Sequence, residues 1–125
     1  MDNNLANKTE TVFESIKHRD KDGVEFWYAR ELQDVLEYKE WRKFEGVIEK
    51  AKQACQNSEI NVNDHFVGSD KTIKMPKGAE KIIDDFKLTR YACYLIAQNG
   101  DSRKKAIATA QTYFAVQTRN YKTGI

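Results

Sequence analysis

Two histidines are the side chains best suited to acid–base chemistry in this chain, and neither stands in a catalytic pattern. His18 lies between Lys17 and Arg19 in a polar stretch, which favours an exposed position. His65 follows Asp64, whose carboxylate could orient the imidazole ring, but no glycine-bracketed serine accompanies the pair. A structural role for His65, closing a loop, is the better interpretation.

Carboxylates, cysteines and glycines give no stronger catalytic signal. Asp84 and Asp85 are neighbours in a predicted strand and therefore point to opposite faces. Cys55 and Cys93 lie 38 positions apart without a CxxC spacing, so we interpret both as buried apolar side chains and not as zinc ligands. The glycine patterns of phosphate-binding loops are missing. These residues predict a non-enzymatic protein without a metal or other cofactor.

Basic side chains are the remaining candidates, because they could bind phosphate groups. The net charge is only +2, but residues 1–65 carry a balance of −4 and residues 66–125 a balance of +6. Such asymmetry points to a polyanionic partner, most often nucleic acid. Lysines that merely solvate exposed faces would give the same count, and this alternative stays open.

We expect DNA contacts from basic residues of the second half of the chain. A basic triplet in the first turn of a helix opposes the helix dipole, and a bound phosphate would remove that conflict. A lysine at the tip of a hairpin is placed like the wing of winged-helix proteins. The expected contact residues are Lys74, Lys77, Lys81, Arg90, Arg103, Lys104 and Lys105.

Two β-hairpins that would position these residues are predicted from alternating apolar residues and turn residues. The first joins residues 12–17 to 24–28 through the turn Asp-Lys-Asp-Gly. The second joins residues 71–75 to 79–87 through Pro-Lys-Gly. Alternation in the second hairpin predicts one apolar and one basic face on each of its strands.

Four helices are predicted from apolar residues at helical spacing. Thr89 is the expected N-cap of the third helix and Gly100 ends it, while Asp101 and Ser102 offer the N-cap of the fourth. The helices are expected to begin near residues 29, 41, 89 and 103, and a loop is expected over 59–70.

These elements predict one α+β domain over residues 11–125, with a flexible segment at 1–10. The last two helices are expected to form a corner that resembles a helix-turn-helix, and the second hairpin gives the fold a winged-helix-like character. No apolar run approaches the roughly 18 residues of a membrane span, and no signal peptide is evident. We therefore expect a cytoplasmic protein with no membrane partner.

Several segments resemble the DNA-damage-inducible protein D family of bacteria. The resemblance rests on LTRYACYLIAQNGD at 88–101 and AQTYFAVQTR at 110–119, with WYAREL, WRKF, AKQAC and DHF in that family's order. It covers about residues 13–121. More distantly, the chain resembles the N-terminal modules of phage antirepressors and viral BRO proteins, with Glu37 in place of the Gly of a Leu-Gly-Tyr turn.

The resemblance implies a BRO-N-like domain of an SOS-response protein that is induced on DNA damage and acts by binding. Family members continue well past this length, which implies an N-terminal domain without the family's C-terminal region. The implied partner is single- or double-stranded DNA or, alternatively, a DNA-associated protein such as a repressor or the RecA recombinase filament. The sequence leaves the oligomeric state open, with a homodimer as one alternative.

Overall fold

The computed structural model describes the backbone of residues 12–123 and the side chains of residues 12–115. The expected flexible segment at 1–10 lies outside them. A helical turn at 12–15 opens the described part of the chain. The elements that follow are β1 (His18–Arg19), β2 (Glu25–Tyr28), α1 (Ala29–Val35), α2 (Trp41–Asn57), β3 (Phe66–Lys74), β4 (Glu80–Leu88), α3 (Arg90–Gln98) and α4 (Lys105–Thr123).

The strands form one antiparallel sheet in the order β1-β2-β4-β3. β2 pairs with β4 only through its last two residues. In contrast, β3 and β4 pair along nine residues each, from Phe66 opposite Leu88 to Lys74 opposite Glu80. The β3–β4 hairpin, here called the arm, is therefore a two-stranded ribbon beyond the point where β2 ends.

The core lies on one side of the sheet. Trp27 of β2 and Leu88 of β4 are opposite each other in the register and fully buried. The helices supply the remaining large apolar side chains, so that sheet and helices share one core. Its largest fully buried residues are Trp27, Phe13, Phe44, Phe114, Leu32, Leu36, Ile48, Leu88, Ile96 and Ile107.

The predicted α+β class, the helices and the second hairpin are confirmed. Thr89 caps α3 as expected, because its Oγ1 accepts the backbone N–H of Ala92 at 3.1 Å. The loop expected over 59–70 is partly wrong, since β3 already begins at Phe66. The rest of that segment contains a short 3-10 turn, Val62–Asp64.

The strand expected over residues 12–17 is wrong, because a helical turn occupies 12–15. Phe13 is fully buried there, with its ring 5.2 Å from those of both Tyr113 and Phe114 on α4. Packing against α4 selects the helical turn, since so short an apolar run fits either period. The first hairpin survives as the short β1–β2 pairing.

The α3–α4 corner is confirmed, but the last helix begins later than expected. Asp101 accepts the N–H of Arg103 through its carboxylate and that of Lys104 through its carbonyl, both at 3.0 Å, so a separate turn closes before the helix begins at Lys105. Gly100 leaves room for the buried side chain of Ile107 at this corner. A Cβ there would lie 2.8 Å from Cδ1 of Ile107, too close without movement of that side chain.

The turn between α1 and α2 places Glu37 in the left-handed region, with a φ of 64°. This is where the resembled antirepressor modules carry Gly. Tyr38 donates its N–H to the Gln33 carbonyl at 3.0 Å, and the Gln33 side-chain amide donates to the Tyr38 carbonyl at 2.9 Å. The surrounding hydrogen bonds therefore hold the turn although its central residue is not glycine.

Glu37→Gly should raise the free energy of unfolding by about 0.5 to 1 kcal/mol. A left-handed conformation costs an L-residue about 1–2 kcal/mol, and the greater freedom of glycine in the unfolded chain takes back part of that gain. Urea unfolding followed by tryptophan fluorescence measures the change. The control is Glu40→Gly, at a residue with an extended φ of −111°, which should not stabilise. A Glu37→Gly variant less stable than the parent would contradict this assignment of strain.

Candidate nucleic-acid interface

The arm carries basic side chains away from the core. Phe66 and Leu88 at its base are buried, whereas Ile82 towards the tip is 67% exposed. The tip is the turn Pro76–Gly78, closed by a hydrogen bond from the Met75 N–H to the Ala79 carbonyl at 2.7 Å. The arm is thus a projecting ribbon with solvent on both faces of its outer half.

Strand register decides which side chains share a face of the arm. Lys81 lies opposite Ile73, and Lys71 lies opposite Ile83. Lys87 lies opposite both Val67 of β3 and Tyr28 of β2, on the side of the sheet away from Trp27. We call this side the outer face. The separate apolar and basic faces expected for each strand hold only at the base of β4, where Phe86 and Leu88 lie on the core side and Lys87 on the outer face. Further along the arm they are wrong, because lysines and isoleucines alternate on the outer face.

The two faces of the arm differ in charge. The outer face carries three lysines, Lys71, Lys81 and Lys87. The other face carries Lys74 together with Asp70, Glu80 and Asp84. Among the described residues, none of the arm lysines forms an ion pair, so their charges are available to a partner.

Arg90, one of the expected phosphate contacts, lies at the start of α3, away from the arm, and is paired within the protein. Its Nε and Nη2 donate to the two carboxylate oxygens of Glu25 at 2.6 and 2.9 Å, and its side chain is only 15% exposed. The guanidinium also lies 5.0 Å from the ring of Trp27 and 5.4 Å from that of Tyr113. Arg90 is therefore a structural residue whose fork is already occupied by a carboxylate.

The Arg90–Glu25 pair is part of a larger polar cluster. Tyr113 donates its hydroxyl hydrogen to Glu14, which also accepts from Lys17 Nζ at 2.8 Å. Burial and the hydrogen bond to Glu14 raise the pKa of Tyr113 to about 12. The Arg90 guanidinium lowers the pKa of Glu25 below its ordinary value. The cluster joins the N-terminal turn, β2, α3 and α4.

The basic triplet 103–105 lies at the α3–α4 corner and not on the arm. Arg103 is 91% exposed, and its guanidinium donates to the Asp101 carboxylate at 3.0 Å. Lys104 donates to the Glu37 carbonyl at 3.1 Å, with its ammonium 4.1 Å from the ring centroid of Tyr38. Of the triplet, Lys105 is exposed in the first turn of α4.

Three half-buried rings lie together on the outer face and were missed from the sequence. The ring centroids of His18 and Tyr28 are 4.9 Å apart, and those of Phe26 and Tyr28 are 5.2 Å apart. Lys87 Nζ is 5.2 Å from the Phe26 centroid. We call His18, Phe26 and Tyr28 the aromatic platform. The sequence does contain a signal for these rings, because side chains alternate along a strand and Trp27 and its two aromatic neighbours therefore cannot all face the core.

His65 has the structural role that the sequence favours. Its Nδ1 is hydrogen-bonded to Oγ1 of Thr89 at 2.6 Å, and its ring meets the edge of Tyr91. Burial lowers the pKa of His65, although Asp64 acts in the opposite direction. Within residues 12–115, no three histidine, cysteine or acidic side chains are grouped as a metal site.

No helix in the part of the chain that the structure describes combines the length and the apolar character needed to cross a bilayer.

Comparison with known proteins confirms the resemblance seen in the sequence. Residues 15–115 match the model of the BRO family N-terminal domain. The chain is 45% identical over 113 residues to DNA damage-inducible protein D of Escherichia coli strain K12. The aligned segment covers 90% of this chain and 41% of the E. coli protein. No solved structure matches this chain significantly. The family match includes the arm and the aromatic platform.

Glu25→Gln should lower the free energy of unfolding at neutral pH by about 2 kcal/mol, because hydrogen bonds to charged groups contribute roughly 1.5–3 kcal/mol. It should also reduce the acid sensitivity of the fold. Since the folded-state pKa of Glu25 lies below its ordinary value near 4.5, its contribution is full above that pH and is lost as pH falls through the lower value.

Urea unfolding at neutral pH and at about pH 3 measures both effects, because the contribution of Glu25 is lost only as pH falls through its lowered pKa. Glu80→Gln, at an exposed position on the arm, is the matched control and should leave stability and its acid sensitivity unchanged. A Glu25→Gln variant with the parent's full loss of stability in acid would contradict the assigned pairing.

Proposed function

The chain belongs to the BRO N-terminal domain family, and from that membership we propose that it is a DNA-binding regulatory module of the bacterial DNA-damage response that acts without catalysis. The assignment to the damage response rests on the name of the E. coli relative, and this chain spans about two fifths of that protein's length. The observation that carries the proposal is the arm, with its unpaired lysines on a projecting ribbon.

Electrostatics favour nucleic acid as the partner of the arm. On the outer face the arm exposes Lys71, Lys81 and Lys87, and the carboxylate that β4 contributes to this face, Asp85, is buried. A phosphate backbone presents closely spaced negative charges, so several free lysines on one face gain affinity through release of counterions. A two-stranded β-ribbon also has the dimensions to enter the major groove of a duplex.

The tip of the arm extends this surface. Lys77 is exposed at the centre of the turn. Lys77 and Gly78 both have left-handed backbone conformations, with φ values of 65° and 80°. In the proposed complex Lys77 contacts the phosphate backbone as a wing does. Lys74 and Lys81 add contacts from the two strands next to the tip.

The α3–α4 corner supplies a second, smaller set of cations to the proposal. Arg103 shares its charge with Asp101, and Lys104 is engaged at the Glu37 turn. Among the described residues, Lys105 is exposed and forms no ion pair, unlike Arg103. We therefore expect the arm to contribute more to affinity than the corner.

DNA binding by the parent protein should weaken steeply as salt concentration rises. Each phosphate neutralised contributes about 0.9 to the log–log slope on duplex DNA. Combined replacement of Lys71, Lys77 and Lys81 by Ala should reduce that slope by about 2 to 3 and weaken binding at low salt by at least about tenfold. Fluorescence anisotropy of a labelled oligonucleotide over a salt series measures both quantities.

The matched control removes the same charge from another exposed face. Arg42, Lys43 and Lys50 on α2, all replaced by Ala, should leave affinity and slope close to those of the parent. A parent that binds neither single-stranded nor duplex DNA at low salt would contradict the proposal and favour a protein partner. Equal losses in the two triple variants would contradict the assignment to the arm.

A further inference from the structure

We propose that the aromatic platform and the outer-face lysines form one track for a single strand of DNA, so that the module prefers single-stranded DNA to duplex. This preference rests on the proposed function and deepens it, because it names the form of nucleic acid that the arm binds. It follows from which rings and which lysines the register places on the same face.

The platform offers ring surface that the core does not use. Phe26 and Tyr28 are only partly buried, whereas Trp27 between them is fully buried on the other face. Unpaired bases stack on exposed aromatic rings regardless of sequence. In a duplex the bases stack on one another and present only their edges in the grooves. The partly exposed rings of Phe26 and Tyr28 therefore favour a strand whose bases are free.

The lysines continue from the platform along the arm. Lys87 is opposite Tyr28 in the register, and its ammonium group lies 5.2 Å from the Phe26 centroid. Lys71 of β3 lies opposite Ile83 of β4. Ile83 is two residues from Lys81 and four residues from Lys87 along β4. At about 3.3 Å per residue, these intervals are about 7 and 13 Å. Cations at such intervals suit successive phosphates of an extended strand.

Carboxylates near this track are already engaged. Glu31 beside the platform accepts from Nε2 of His18 at 2.6 Å. Asp85 is buried and accepts the backbone N–H groups of Arg30 at 3.0 Å and Phe86 at 2.8 Å. Neither group is therefore an unpartnered negative charge on the path of the strand.

The test compares a labelled oligothymidine of about 20 nucleotides with a duplex of similar length, both by anisotropy at low salt. The variant is the double replacement Phe26→Leu with Tyr28→Leu, which keeps apolar side chains and removes both rings. Its affinity for oligothymidine should fall by about tenfold or more, while its affinity for the duplex stays within about twofold. Tyr28→Phe, which keeps the ring, should bind like the parent.

Tyr38→Leu is the matched control, because Tyr38 is also a partly buried ring beside a lysine but lies at the Glu37 turn. It should leave both affinities unchanged. A parent that binds the two probes equally, or a double variant that binds oligothymidine like the parent, would overturn the single-strand track while the lysine variants still test the proposed function. A parent that binds neither probe contradicts the proposed function itself.

A second measurement uses the parent protein alone and so does not depend on how the double variant folds. A 2-aminopurine base placed within oligothymidine should lose fluorescence on binding, because stacking on an aromatic ring quenches it. Unchanged emission at saturating protein would overturn the proposal.

Discussion

The pairing of Arg90 with Glu25 is the interaction on which the rest of the structure depends. The Arg90 side chain is only 15% exposed, and the two carboxylate oxygens of Glu25 accept hydrogen bonds from its Nε and Nη2. This pairing turns Glu25 towards the helices, together with the fully buried Trp27. Because side chains alternate along a strand, Phe26 and Tyr28 must then face the opposite side. The partly buried ion pair and the buried Trp27 therefore set the same side of β2 against the core, and the rings of Phe26 and Tyr28 lie on the other side.

The base of the arm is fixed by a second set of polar contacts. The Asp85 carboxylate accepts the backbone N–H of Arg30 in the first turn of α1, where the N-cap residue Tyr28 provides no side-chain cap. Arg30 Nε in turn donates to the Asp84 carbonyl at 2.7 Å, and its guanidinium lies 3.7 Å from the Trp41 ring centroid. These contacts bind β4 to the start of α1. The outer half of the arm is consequently held out from a well-anchored base, which suits a segment that contacts a partner.

Much of the fold follows from local sequence signals, but the composition of the site does not. Thr89, Gly100 and the apolar stripes predict the helices, because caps and periodicity act over a few residues. From the sequence, Arg90 is interpreted as a surface cation, because no residue near it in the chain indicates that it pairs with Glu25, 65 positions away. The outer face depends on the register that places Lys81 opposite Ile73, and that register comes from the turn geometry at 76–78. The partly exposed rings of Phe26 and Tyr28 become evident only once Trp27 is known to be buried.

In the proposed complex, nucleic acid lies on the outer face of the sheet and arm. The most direct measurement is a titration of the isotope-labelled protein with oligothymidine, followed by amide chemical shifts. The largest shift changes should fall on β2 around Phe26 and Tyr28 and on the arm around Lys71, Lys81 and Lys87. Changes confined to the exposed face of α2 or to the α3–α4 corner, with the arm unaffected, would contradict this placement.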